Sequence, residues 1–128
     1  MYSVVLLMRP DISSELLKAI NERIHLDLLL HILNKKFIKA ENEGNDGFAK
    51  YLDKIIKDVS RQRKEVNDYL RQNGVKIFDP EKVDDMFIQY RYYQKVNGGY
   101  KEGVQRYWRD AIKFQLKKRL NKYFITND

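Results

Sequence analysis

Apolar residues recur at helical spacing through Leu16, Leu17, Ile20, Ile24, Leu28 and Ile32, and this recurrence restricts the chain more than any other feature. Between Leu26 and Leu33 the pattern becomes apolar nearly all round, broken only by Asp27 and His31. A helix wet on one side keeps a polar face, so this one is expected at the centre of a core. Asp11 behind Pro10, with Glu15 in the first turn, reads as its N-cap. The helix is expected to run to about Ala40, ahead of the turn-forming stretch Glu41-Asn42-Glu43-Gly44-Asn45-Asp46-Gly47.

A second helix follows, with Leu52, Ile55, Val59, Gln62, Val66 and Tyr69 at alternating steps of three and four. Asn73-Gly74 closes it with a left-handed cap, and Val75-Lys76-Ile77-Phe78 is a short connector plugging the end of the bundle. Asp79-Pro80-Glu81 then reads as a helix start, with a capping acid, proline at the first helical position and an acid at the positive end of the dipole. This third helix would turn Val83, Met86, Phe87, Tyr90, Tyr93 and Val96 inward until Asn97-Gly98-Gly99 breaks it. The fourth would carry Val104, Trp108, Ala111, Ile112, Gln115, Leu116, Leu120 and Tyr123 on one stripe. No stretch alternates with a period of two for long enough to argue a sheet. The expected fold is therefore all-α, a small antiparallel bundle of about four helices joined by short connections. Its 128 residues suit one domain, read as an N-terminal arm over 1–10, a helical-bundle domain over 11–124 and a tail over 125–128.

Charge is unevenly placed. The net charge is +7, but Lys101, Arg106, Arg109, Lys113, Lys117, Lys118, Arg119 and Lys122 fall in one segment, opposed only by Glu102 and Asp110. Seventeen basic and sixteen acidic residues make up the rest, so an anionic partner is expected at the last helix. No cysteine is present, which removes disulfides, thiolate metal sites and thiol nucleophiles, and suits a reducing compartment. The apolar run Val4 to Met8 is too short to span a bilayer, and no basic stretch precedes it as a secretory signal requires. A cytoplasmic protein is expected. The abundance of Lys, Asn, Ile and Tyr suggests an AT-rich bacterial or phage genome.

The string Asp84-Asp85-Met86-Phe87, then Tyr90 and Tyr93, then Gly99-Tyr100-Lys101-Glu102, then Tyr107-Trp108 and a basic-aromatic ending at Tyr123-Phe124 resembles the YhjD-like proteins of Bacillus-type bacteria. Leu26-Asp27-Leu28-Leu29-Leu30 ahead of Leu33 resembles their apolar opening helix, so the likeness covers roughly Glu15 to Phe124. The resemblance implies a small helical fold. The family has no assigned activity, so it brings no functional residues.

Enzymatic chemistry finds little support in the residues. Glu22 and His25 have the Glu-x-x-His spacing of di-metal bundles, and Asp27 and His31 are four apart. His25 and His31 are the only histidines, however, so no second ligand pair exists, and a histidine at the core margin bonded to a carbonyl is the plainer reading. Asp84, Asp85 and Glu81 suit a dipole-compatible first turn better than a catalytic pair. Gly98-Gly99 lacks the strand and lysine of a phosphate loop, and Ser13, Ser14 and Ser60 lie in no nucleophile elbow. No catalytic residue, metal ligand or cofactor is expected, and the chain is read as non-enzymatic.

Binding remains. Tyr92, Tyr100 and Tyr107, among nine tyrosines, are candidate aromatics for contact with a protein partner or a second copy. Arg106, Arg109, Lys113, Lys117, Lys118 and Lys122 are the candidate anion-binding set, with Arg106-Tyr107-Trp108-Arg109 interleaving cations and rings as DNA- and RNA-binding surfaces do. Docking of the last helix on an anionic membrane, with Trp108, Phe114 and Tyr123 inserted, would require its core-facing side to open. The first expectation is a protein-interaction or self-associating module; the alternative is a nucleic-acid binder using residues 101–124.

Overall fold

The structure, a computed structural model, describes residues 12–125. The expected arm 1–10, the expected cap Asp11 and residues 126–128 of the expected tail lie outside the described residues. The chain forms helix α1 (Ser14–Asn42), helix α2 (Asp46–Gln72), strands β1 (Val75–Ile77), β2 (Glu81–Lys82), β3 (Phe87–Val96) and β4 (Gly99–Trp108), and helix α3 (Arg109–Ile125). It is an α+β fold, with three helices and a four-stranded antiparallel sheet. The expected all-α bundle of four helices is thereby overturned, and with it the reading of 11–124 as a helical-bundle domain.

The helical hairpin follows the apolar spacing. Ser13 caps α1, its hydroxyl accepting from the Leu16 amide at 3.1 Å. Asn45 caps α2 through Phe48 in the same way. Between them Gly44 takes a left-handed backbone at φ 72°, a conformation that costs a residue without Cβ nothing. Ile20, Ile24, Leu26, Leu29 and Leu33 are at most 1% exposed, so α1 lies at the centre, as its all-round apolarity requires. On α2, Leu52, Ile55, Val59 and Leu70 are buried, whereas Tyr69 is exposed.

The expected third helix is a strand. Six of the ten residues of β3 are β-branched or aromatic, a composition that suits a pleated surface better than a helix. Ile88, Tyr90 and Tyr92 turn inward, while Phe87, Gln89, Arg91, Tyr93 and Lys95 turn outward. Rings on both faces hide the period-two alternation, and Phe87, Tyr90 and Tyr93 then mimic helical steps of three. Asn97-Gly98 is the two-residue connection of a β3–β4 hairpin, which starts its register at Val96 opposite Gly99. Gly98 supplies the positive φ, 85°. The first eight residues of the expected fourth helix belong to β4, where Gly99 and Gly103 carry no helix penalty.

Asp79-Pro80-Glu81 does not cap a helix. The register passes from Ile77 opposite Tyr92 to Glu81 opposite Gln89, so Phe78, Asp79 and Pro80 face only Tyr90 and Arg91. This is a bulge in the edge formed by β1 and β2, and a proline without an amide proton is tolerated at such a place. Asp84 is also no first-turn acid. Its Oδ1 accepts from the amides of Met86 at 2.7 Å and Phe87 at 2.9 Å, which closes the turn into β3.

Two adjoining cores hold the layers together. The sheet places Val75, Tyr90 and Tyr92 against Leu16, Ile20, Ile24 and Leu70. Helix α3 places Ile112, Leu116 and Leu120, each four residues on, against Leu26, Leu29, Leu33, Leu52, Ile55 and Val59. Tyr107 packs against both clusters.

Candidate nucleic-acid interface

Burial of Ile112, Leu116 and Leu120 fixes which side of α3 faces solvent. At 100° per residue, the opposite side carries Phe114 and Asn121, with Lys113 and Lys117 along one flank and Lys118 and Lys122 along the other. All four lysines are exposed, and Phe114 is 60% exposed. Lys118 places its Nζ 5.1 Å from the Phe114 ring centre, a cation–π distance.

Ion pairs hold eight cations among the described residues, while Lys35, Lys36, Lys39, Lys50 and Lys54 on the two long helices are in none. Arg23 and Arg63 share Asp27, Lys57 meets Asp53, Arg61 meets Asp58, Lys64 meets Asp68, Lys82 meets Asp85 and Arg91 meets Glu81. On α3, among the described residues, only Arg119 is paired, its Nη1 and Nη2 each 2.9 Å from one oxygen of Glu22. Among the described residues, Lys113, Lys117, Lys118 and Lys122 have no acidic partner.

The remaining candidates separate. Arg106 lies on β4, not on α3, so the expected cation stripe Arg106, Arg109, Lys113, Lys117 is broken after its first member. The Arg106 side chain is exposed on the outward face of the sheet, where its Nη2 donates to Gln89 Oε1 at 2.9 Å. Arg109 is half-buried at the start of α3, its backbone amide donating to the Met86 carbonyl at 2.7 Å.

Of the three candidate aromatics, only Tyr100 is open to a partner, at 60% exposure. Tyr92 is 5% exposed and belongs to the core between sheet and hairpin. Tyr107 is half-buried, its phenol donating to Asn21 Oδ1 at 2.5 Å, and burial raises its pKa well above the usual tyrosine range. Their period-two placement on β3 and β4 decides these orientations, and a helical reading could not find it.

Sequence reasoning missed the outward face of the sheet. Phe78, Tyr93 and Tyr100 form a row across it, with ring centres 5.6 Å and then 5.0 Å apart and the second pair T-shaped at 74°. Lys76 lies 5.2 Å from the Phe78 ring centre, at the end of that row. A shallow concavity of about 910 Å³ opens beside it, lined by Phe78, Pro80, Glu81, Arg91, Glu102 and Val104 among others. There Glu81 accepts from Gln89 at 3.1 Å and from Arg91 at 3.0 Å, bonds that hold its carboxyl below the usual glutamate pKa. The local signal for the hairpin that carries Tyr93 and Tyr100 is Asn97-Gly98.

The two histidines go separate ways. His25 Nδ1 lies 2.8 Å from the Asn21 carbonyl and its ring meets Tyr107 edge-on, while His31 is exposed. Glu22, the other half of the Glu-x-x-His spacing, is taken by Arg119. Among the described residues no group of three or more His, Asp or Glu side chains is placed to hold a metal ion. Nor is any described helix long and apolar enough to cross a membrane.

Fold and surface together define a small basic α+β protein, an apolar helical hairpin covered by a sheet and a lysine-faced helix. The chain belongs to the YhjD protein family, whose family model matches residues 11–128. No curated protein matches it, and no solved structure does.

Proposed function

We propose that the protein binds nucleic acid through the outward face of α3. The observation that carries this reading is a cluster of unpaired cations: Lys113, Lys117, Lys118 and Lys122 lie within ten residues of one helix, around an exposed Phe114, with Asp110 the one acid on that side among the described residues. Four unpaired lysines within ten residues of one helix concentrate a positive field suited to a polyanion. Phosphate contacts release condensed counterions, so affinity for DNA or RNA falls steeply with salt. The test is a salt titration of binding to labelled DNA and RNA by the whole chain, with anionic lipid vesicles in parallel. A steep slope that flattens when Lys113 and Lys117 become alanine supports the reading. Absence of binding at low salt removes it, as does stronger binding to the vesicles.

A second reading, self-association, is favoured by one feature. Strand β4 pairs only with β3 among the described residues, and Met86, Val104 and Trp108 beside it are 49–54% exposed. An unpaired edge next to apolar side chains is a template for a second copy. Light scattering decides it, since a strict monomer at high concentration leaves that edge without a role.

A further inference from the structure

The outward face of the sheet, distinct from α3, is aromatic and cationic. We propose that it is a stacking platform for unpaired bases, so that the protein prefers single-stranded nucleic acid to a duplex. The inference deepens the nucleic-acid reading above and rests on it.

Three observations converge. First, Phe78, just past β1, packs against Tyr93 on β3, and Tyr93 packs against Tyr100 on β4, so these rings are held in place before any ligand arrives. Preorganised rings lose little entropy on binding. Tyr100, at the hairpin end of the row, keeps 60% of its surface open. Second, cations interleave these rings. Lys76, Arg91, Lys95 and Arg106 share the face with Glu81 and Glu102, Asp79 lines the concavity beside them, and Glu81 is already held by Arg91 and Gln89. The surplus is positive, which favours a polyanion over an acid-neutral peptide.

Third, the geometry discriminates between nucleic acids. Bases inside a duplex present only their edges and cannot lie on a ring, whereas a splayed single strand offers a π-face at every nucleotide. Gln89, hydrogen-bonded to Arg106 at 2.9 Å and to Glu81 at 3.1 Å, adds amide and guanidinium groups between the aromatic row and Trp108. Such polar groups within a stacking surface can meet base edges. Trp108 sits opposite Phe87 on the same face and is the chain's one tryptophan, so its fluorescence reports on this surface alone.

The experiment is fluorescence anisotropy of the whole chain at low salt with a fluorescein-labelled oligothymidylate and with duplex DNA of equal length. The single strand is expected to bind about ten-fold more tightly, and to quench Trp108. Tyr100→Leu should weaken single-strand binding about ten-fold, the scale of one lost base–ring stack, without changing the salt slope or duplex affinity. Tyr93→Leu, checked by a thermal melt, should act in the same direction. Equal affinity for both probes, untouched by Tyr100→Leu and without Trp108 quenching, overturns the platform and leaves binding by α3 standing. Failure of both probes to bind overturns the nucleic-acid reading, and the platform with it.

Discussion

Tyr92 lies across Gly103. The two residues are register partners on β3 and β4, and a Cβ built on Gly103 would sit 2.9 Å from Tyr92 Cε1 and closer still to the phenol oxygen. Tyr92 is 5% exposed among Leu16, Ile20 and Ile24, so its ring has nowhere to retreat. Gly103 is therefore chosen for space, not for backbone freedom. Gly103→Ala should destabilise the protein by about 1–3 kcal/mol, the cost of overpacking a filled core. A thermal or denaturant melt measures it, and an unchanged midpoint would contradict this packing.

Tyr107 joins the sheet to α1 through Asn21, and burial raises its pKa, with the neighbouring Tyr90 raising it further. Burial likewise raises the phenols of Tyr90 and Tyr123. Each ionises near its ordinary value of 10.0 when the chain is unfolded and higher when it is folded. Their contribution to stability is thus complete below pH 10 and is lost as pH rises through the folded values, because the unfolded chain releases protons first. Stability measured by denaturant titration should fall as pH rises above 10. Tyr107→Phe should make that fall shallower, and should cost about 1 kcal/mol at neutral pH for the lost hydrogen bond.

How far these contacts could be read beforehand depends on how periodicity was expressed. The core of α1 was legible because Leu26, Leu29 and Leu33 leave a helix no alternative to burial. Ile112, Leu116 and Leu120 fixed α3 by their steps of four, and its lysine face followed. The sheet was hidden because β3 carries rings on both sides, so Phe87, Tyr90 and Tyr93 imitate a helical stripe while Ile88, Tyr90 and Tyr92 form the true inward face. Asp79-Pro80 added a misleading cue, since a proline without an amide proton suits a helix start and an edge bulge equally. Asn97-Gly98 was the local signal that could have decided for a hairpin. The outward aromatic row depends on Phe78 in the bulge meeting Tyr93 of β3 and Tyr100 of β4 across the sheet, which only the register supplies.

A polar strap ties the two long helices. Asp27 on α1 accepts from Arg23 at 2.9 Å and from Arg63 on α2, and Arg23 reaches Asn67 on α2 at 2.5 Å. The Arg23 side chain is only 18% exposed, so removing Asp27 strands a cation that water reaches poorly. Asp27→Ala should cost about 1 kcal/mol, with part of the loss vanishing at high salt, as expected for half-exposed charges. A double-mutant cycle with Arg63→Ala reads the coupling directly. Additive losses would show that the helices are held by their apolar contacts alone.

The lysine face of α3 makes a separable prediction, because its charges do no work in the fold. Lys113 and Lys117 flank Phe114 without an acidic partner among the described residues, and the buried stripe Ile112, Leu116, Leu120 lies on the other side of the helix. Alanine at both positions keeps helix propensity and touches no core contact. The double variant should melt within about 0.5 kcal/mol of the parent, as ordinary surface substitutions do. Its affinity for nucleic acid should nevertheless fall for every sequence tested, and the salt slope should flatten by about one for each lysine that meets a phosphate. Replacing Lys57 and Lys64, which are paired with Asp53 and Asp68 on α2, should leave both quantities unchanged. Equal effects from the two pairs would mean that net charge alone, and not the face of α3, draws the polyanion to the protein.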